Sequence, residues 1–408
     1  KIERNETDFS AVEGISYINA NGEYIRTPSR QPIKNLDELG FPDLSLLDLN
    51  KYCASISRFK SNFCHDPRVM HYLKENPTIS RKVLWIEFSR GCPNFCSFCY
   101  RHFAGCRRFS ADYTLAWIEK IIQEYKISFF CISDENFNAN QQWVFDFAQG
   151  IKQRKLNIFF SVINAEVTNM NSSMLNVLKE AGCVSVFYGF DSGSSKILSI
   201  MDKRATVNEN LRVVELMKKY GIKTRLSLII GMPGETRQTL EESIEFLRKA
   251  NAKEQEIGIR YALSLPGTAL YDYDLLTNRI VDEHAYLMKL GLRMNAEIRS
   301  KFALNHSDMP DQEFAKLRKI VMVQVKGKGW YYTNKLRDVV SVIVRDCLRI
   351  FSGRFCRHSL DSITDGCINR KDNKSCWIKF KEEYYALGAL RHINNYIKNN
   401  KTVHENRK

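Results

Sequence analysis

VLWIEFSRGCPNFCSFC, residues 83–99, is the stretch on which the fold turns. Val83 to Phe88 is a short apolar run rich in β-branched and aromatic residues, which predicts a strand. Three cysteines, Cys92, Cys96 and Cys99, follow it at once in C-x3-C-x2-C spacing. A strand that ends on soft metal ligands reads as the first unit of an α/β domain that works at its strand C-termini.

Outward from that stretch the βα rhythm continues. Further strands are predicted at Ser128 to Ser133, Asn157 to Ile163, Cys183 to Gly189, Lys223 to Ile230 and Glu256 to Leu263. Amphipathic helices fall between them, among them Leu115 to Tyr125, Met174 to Ala181, Glu209 to Tyr220 and Thr239 to Ala250, with Gly182 and Gly221 as helix stops. Six consecutive βα units fit either an open doubly wound sheet or a partial barrel, and periodicity does not choose between them. The expected fold class is α/β, with an N-terminal hairpin and linker and a helical C-terminal region; a partial (βα)6 TIM-like barrel is what the family resemblance given below implies.

Ahead of the core, Asn21-Gly22 between Ile15 to Ile18 and Glu23 to Arg26 predicts a hairpin closed by a type I′ turn. A turn-rich connector follows from Thr27 to Pro32, then a short helical reading through Leu36, Leu39, Leu46 and Leu47. Beyond residue 285 the chain is basic and mainly helical in pattern. There Leu336 to Ile350 mixes apolar residues with arginines, and Trp377, Tyr384 and Tyr385 lie on one more expected helix. The expected division is 1–80 connector, 81–285 core barrel and 286–408 basic helical region.

The 408 residues carry a formal net charge of +15, 44% hydrophobic and 26% charged residues, and no apolar run long enough to cross a bilayer as a helix. A basic balance is compatible with nucleic acid, an anionic substrate or an anionic membrane surface, and selects none of them. Twelve cysteines are too sparse for a disulfide scaffold in a chain this long, so a reducing compartment, the cytoplasm, is expected. The chain opens on Lys1 rather than Met and lacks a signal peptide, so a fragment is expected.

Three thiolates so close in sequence can ligate three irons of a cubane cluster and leave the fourth open to a small molecule. A zinc site is the competing reading, with Cys106 or His102 as the fourth ligand and no open position. Cys347, Cys356, Cys367 and Cys376 raise a second metal site, but their gaps are wide for a ligand set. Cys131 and Cys183, in predicted strands, read as core.

C-x3-C-x2-C with the aromatic Phe98 before its last cysteine, placed after strand one, resembles the radical SAM (S-adenosylmethionine) superfamily. The resemblance implies a [4Fe-4S] cluster on Cys92, Cys96 and Cys99 whose open iron chelates SAM, and reductive cleavage to methionine and a 5′-deoxyadenosyl radical. It also implies a small-molecule substrate and a reducing donor such as flavodoxin or ferredoxin. Ser133-Asp134-Glu135-Asn136-Phe137 resembles the family's acidic element near the SAM amino group, with Asp134 and Glu135 as candidates; helix capping is the plainer reading. Phe190-Asp191-Ser192-Gly193-Ser194 resembles a Glu-Ser-Gly-Ser pattern with Asp191 in place of Glu. Gly231-Met232-Pro233-Gly234-Glu235-Thr236 and Pro266-Gly267-Thr268 resemble segments of the branch that includes cobalamin-associated enzymes, which makes Gly231 and Glu235 cofactor-binding candidates alongside Phe98, Asp191 and Ser192. Asn164 stands where that branch suggests Arg.

Val12 to Tyr17 and Pro32 to Pro42 resemble the connector that joins a cobalamin-binding domain to the core in that branch. That domain is not in this sequence, so cobalamin is a second cofactor only through a domain absent here, and tight binding by these residues is not expected. The resemblance spans about residues 10 to 285 and implies methyl transfer, cyclisation or rearrangement as outcomes. An RNA-modifying radical SAM enzyme and a non-catalytic zinc-containing interaction module are the alternatives. No basic stripe with stacking aromatics is visible, so nucleic acid is not the expected partner.

Overall fold

The computed structural model describes residues 9–59, 62–101, 105–253, 256–291 and 304–327. It divides into two compact units, 1–282 with 300–318, and 283–299 with 319–408. Leu336 to Ile350, the four cysteines from Cys347 to Cys376, Trp377, Tyr384, Tyr385 and His102 lie outside the described residues.

The first unit opens with β1 (Ser16–Ile18) and β2 (Tyr24–Arg26), paired antiparallel as a hairpin. Its turn differs from type I′. The Gly22 N–H donates to Asn19 O, Asn19 N–H donates to Glu23 O, and in the loop only Gly22 takes a positive φ, +80°. This is a three-residue loop ending in a left-handed glycine. Asn19 explains the change, since its Oδ1 accepts from the N–H groups of Asn21 and Glu23 and so draws the turn one residue earlier. The helical reading that follows takes the form of two 3-10 turns, Leu36–Leu39 and Leu44–Leu46.

After α1 (Leu49–Tyr52), β3 (Ala54–Ser55) and α2 (Pro67–Glu75) comes β4 (Ser80–Ile86), then a two-stranded clasp of β5 (Ser89–Arg90) and β6 (Arg107–Arg108). Next are α3 (Ala111–Tyr125), β7 (Ile127–Ile132), α4 (Gln141–Gln153), β8 (Phe159–Ala165), α5 (Ser172–Glu180) and β9 (Cys183–Asp191). Then follow α6 (Ser195–Ile200), α7 (Val207–Tyr220), β10 (Leu226–Ile230), α8 (Arg237–Lys249), β11 (Ile257–Tyr261) and α9 (Ala269–Leu276). The six predicted strands and four predicted helices are all present, with ends moved by up to four residues. In the second unit α10 (Glu283–Gly291) and residues 319–326 are helical.

The main sheet runs β11-β10-β9-β8-β7-β4-β3. Its six long strands pair parallel with their sequence neighbours, and only β3 joins antiparallel. A doubly wound sheet reverses its strand order at a switch point, whereas this order is monotonic. The sheet curls into half a barrel with the helices outside it, which decides between the two expected architectures. Local chemistry sets the helix ends: Thr206 and Glu209 form a capping box on α7, and Asn140 and Asn171 cap α4 and α5.

The outer face of the sheet is aromatic. Phe88 packs against Trp117, Trp143 and Phe147, and Phe160 against Phe147. On the other face, Val83, Phe129 and Cys131 are covered by Ile56, Phe63 and Val69. Asn62 reaches Ser161, which in turn bonds Ser185 at 2.6 Å, inside the sheet. Residues 53–76, within the stretch expected to be only connector, thus contribute to the core of the first unit. Their hydrophobic pattern is irregular because a two-residue strand, a 3-10 turn and a short helix each contribute only a few side chains to that core.

Candidate active site at the mouth of the half-barrel

The three cysteines lie on the loop between β5 and β6, directly beyond β4 and at the C-terminal end of the parallel strands. The clasp at the base of the loop pairs Ser89 with Arg108 and Arg90 with Arg107. Asp134, at the end of β7, locks that clasp. Its Oδ1 accepts the Phe88 N–H at 2.6 Å and its Oδ2 pairs with Arg108 Nη1 at 2.6 Å, with both side chains buried. Arg108 also donates to Asn136 O and lies over the Trp143 ring at 4.4 Å. Both Asp134 oxygens are therefore engaged within the protein. Asp134 is not a helix cap either, since Asn140 caps α4.

The tip of the loop is anchored separately. Ser97 N–H donates to Met201 O at 3.0 Å, its Oγ to Ile200 O at 2.9 Å, and its own carbonyl accepts from Leu270 N–H at 2.9 Å. Phe98 packs into an apolar cluster of Ile197, Met201, Met232, Ala262 and Leu270. Two aromatic-polar contacts order the outer side, where Arg101 lies over the Phe95 ring at 4.1 Å and donates to Asn94 O.

Around the thiols the electrostatics are mixed. Burial pushes the Cys96 thiol up to about 11; Lys203 opposes the rise, while Asp191 and the other two cysteines add to it. Cys99 is raised by burial first, then by Cys92, Asp191 and Glu135. Thiols held this way ionise only beside a cation, which an iron site supplies. Asn136 Nδ2 approaches Cys92 Sγ at 3.8 Å and donates to Glu166 at 3.0 Å, while its buried Oδ1 has no partner. Among the described residues no three His, Cys, Asp or Glu side chains converge on one ion. A tetrahedral zinc would need sulfurs about 3.8 Å apart. A cubane takes one thiolate per iron and tolerates a wider spread. Three thiolates give one donor to each of three irons, the donor set a cubane takes, and His102, a candidate fourth ligand of a zinc site, lies outside the described residues.

Asp191 stands in a strained turn. Its φ is +60°, and Ser192 N–H donates to Phe190 O at 2.7 Å, the pattern of a γ-turn that non-glycine residues rarely adopt. Its carboxylate pairs with Lys203 at 2.7 Å. Burial works against the Lys203 charge, yet Asp191, Cys96 and Glu166 together hold its pKa well above the ordinary value. Ser192 is buried, with its Oγ accepting from Ser194 N–H and lying 3.2 Å from Ser243 Oγ. Glu135, in contrast, is exposed beside Cys99 and shows no hydrogen bond or ion pair among the described residues.

Glu235 folds back on its own loop. The N–H groups of Gly231 and Met232 bond its carboxylate, its other oxygen has no partner, and Gly231 is closely covered by Phe314. Burial raises the Glu235 pKa from an ordinary 4.5 to about 7, against the two backbone bonds. The folded state thus holds this proton more tightly than the unfolded chain. Its contribution to stability is full below pH 4.5, falls as the pH rises to about 7 and is level above it. The gap corresponds to about 3 kcal/mol. In Glu235→Gln, urea titrations from pH 4.5 to 8 are expected to lose most of that slope; an unchanged slope would show that Glu235 is not its source.

Arg108, Asn136, Glu166 and Lys203 join the site without having been singled out in the sequence. Lys203 carries only one local signal, its position in the turn Met201-Asp202-Lys203 that ends α6. The Cys131 and Cys183 thiols are buried in the core, as expected, and burial pushes each up to about 12.

A half-barrel of six βα units with three thiols on the loop after its first long strand defines an α/β half-barrel protein with a thiol cluster where barrel enzymes work. Residues 86–247 match the radical SAM superfamily, and this part of the chain is a radical SAM domain. The chain is 28% identical over 277 residues to an uncharacterised methyltransferase of Pyrococcus horikoshii, covering 67% of this chain and 54% of that protein. It is 28% identical over 253 residues to the anaerobic magnesium-protoporphyrin IX monomethyl ester cyclase of Rubrivivax gelatinosus, covering 60% and 40%. The chain therefore spans about half or less of these relatives' length. Among solved structures, the cobalamin-dependent S-adenosylmethionine radical enzyme OxsB is 21% identical with a TM-score of 0.48, over 68% of this chain and 37% of that one. Among the described residues no helix is long and apolar enough to cross a membrane.

Proposed function

We propose that the protein is a radical SAM enzyme acting on a small molecule, with methyl transfer, cyclisation or rearrangement as the reaction. The observation that carries this is the placement of Cys92, Cys96 and Cys99 on a loop clamped at both base and tip over the mouth of the half-barrel. The relatives named methyltransferase and cyclase support the same reading. When bound, a [4Fe-4S] cluster and SAM would supply reductive cleavage to a 5′-deoxyadenosyl radical.

The three cysteines would hold three irons. Glu135, exposed and without an ion pair among the described residues, would take the SAM ammonium, and Lys203 would face its carboxylate while Asp191 keeps the lysine oriented. Asp134 positions the loop through Arg108 and does not touch SAM. Phe98, with Met232 and Ala262 in the same apolar cluster, offers a dry wall for the adenine. Ser192 and Glu235 would shape neighbouring loops, and Gly231 would let one of them turn. The reductant would be a small cytoplasmic electron carrier such as flavodoxin or ferredoxin. After anoxic loading with iron and sulfide, dithionite and SAM are expected to yield 5′-deoxyadenosine by chromatography. A loaded protein that yields none refutes the reading.

A further inference from the structure

On the inner face of the half-barrel, opposite the helices, the last two strands carry an unusual set of charges. β10 and β11 pair in register, Ser227 with Gly258 and Ile229 with Arg260. Ile229 and Ala262 both belong to the apolar cluster around Phe98. Alternation along a strand therefore puts Arg260 on the face of Ala262 and Gly258, and Arg225 on the face of Ser227 and Ile229. The Arg225 guanidinium lies across Gly258. A Cβ there would stand 2.8 Å from its Nε and 3.1 Å from its Nη2, so the glycine makes the room it occupies. Arg318 approaches from the far side of β11, where its N–H reaches the Tyr261 hydroxyl at 3.4 Å and Phe314 packs on the Tyr261 ring. Burial and the nearby charges of Arg260 and Arg318 lower the Arg225 pKa.

Elsewhere in this unit Arg68, Arg108 and Arg154 are each matched to acids: Arg68 to Asp66, Arg108 to Asp134, Arg154 to Asp112 and Glu119. Arg225, Arg260 and Arg318 have no carboxylate partner among the described residues. Glu256, one residue before Ile257, is taken by the Lys253 N–H at 2.9 Å. The charges of Arg260 and Arg318 both act against that of Arg225, and an oxyanion relieves such repulsion while matching the planar guanidinium forks.

We propose that Arg225 and Arg260, with Arg318 adding charge from the edge of β11, form a docking station for an oxyanion, a carboxylate or phosphate of the small-molecule substrate, on the inner wall of the half-barrel below the cysteine loop. The assignment of the anion to a substrate rests on the radical SAM reading; the binding itself does not. Anchored there, a substrate would extend along β10 and β11 toward Ile229, Ala262 and the Phe98 cluster.

Calorimetric titration of the full chain with succinate and with pyrophosphate, at one fixed ionic strength, tests this. Saturable binding of at least one probe is expected, and the preferred probe names the anion. Arg225→Gln and Arg260→Gln should each weaken it at least about tenfold. Gly258→Ala, which keeps every charge but displaces the Arg225 head group, should weaken it too. Arg248→Gln on the outer helix α8 removes the same unit charge and should leave binding within about twofold. Absence of saturable binding by either probe, or equal loss in Arg248→Gln, overturns the proposal. A protein that binds the anion yet never forms 5′-deoxyadenosine would refute the enzymatic reading and leave this site standing; the reverse result would remove this site alone.

Discussion

Asp134→Asn is expected to destabilise the protein by about 3–5 kcal/mol. The amide oxygen can still accept from Phe88 N–H, but the amide nitrogen then faces the Arg108 guanidinium, donor against donor. Arg108 keeps its bond to Asn136 O and its seat over Trp143, and loses its one ion-pair partner among the described residues in a buried position. The clasp of β5 and β6 hangs on that pair, so the loss should be local as well as global: hydrogen exchange at Arg90 and Arg108 should speed up first. The double variant Asp134→Asn with Arg108→Met removes both charges, and its cost should fall well short of the sum of the single changes. A single-variant loss below about 1 kcal/mol in urea unfolding would show that the pair does not hold the loop.

Cys96→Ala is expected to bring 5′-deoxyadenosine formation down to background. Cys96 is the middle one of the three proposed ligands, and after burial its thiol responds most to Lys203 and Asp191. With two thiolates left, two of the four irons of a cubane would lack protein ligation and the cluster would no longer be held against exchange into solvent. The fold should survive, because Ser97 and Phe98 anchor the tip of the loop independently of the thiols. Near-native melting of the unloaded variant together with lost product separates ligand loss from unfolding. Cleavage of SAM at the wild-type rate by Cys96→Ala would exclude the assigned ligand set.

The strands of the half-barrel are legible in the amino-acid sequence because parallel strands buried on both faces are short, nearly continuous apolar runs, as in Ser128 to Ile132. The ligand loop is legible because its donors are close in sequence and of a chemically rare type. The order of the strands is not, since hydrophobic period reports burial and not which neighbour a strand chooses. Asp134 illustrates the same limit at the site: an acidic residue at a strand end has several uses, and only the buried Arg108, brought over from another loop, tells which applies. Lys203 lies twelve residues beyond Asp191 across a helix, with no spacing rule to join them. Arg225, Arg260 and Arg318, without a carboxylate partner among the described residues, are distant in sequence, and each alone reads as an ordinary surface charge. Asn19 shows that even a strong dipeptide signal such as Asn21-Gly22 yields to a side chain two residues earlier.

The most direct test of the central claim is the metal and sulfide content of the chain after anoxic loading and desalting, measured side by side for wild type and Cys96→Ala. An open cluster on Cys92, Cys96 and Cys99 predicts about four iron and four acid-labile sulfide per wild-type chain, and near none in the variant. Stoichiometric zinc without sulfide in the wild type, or equal iron in both proteins, would contradict it.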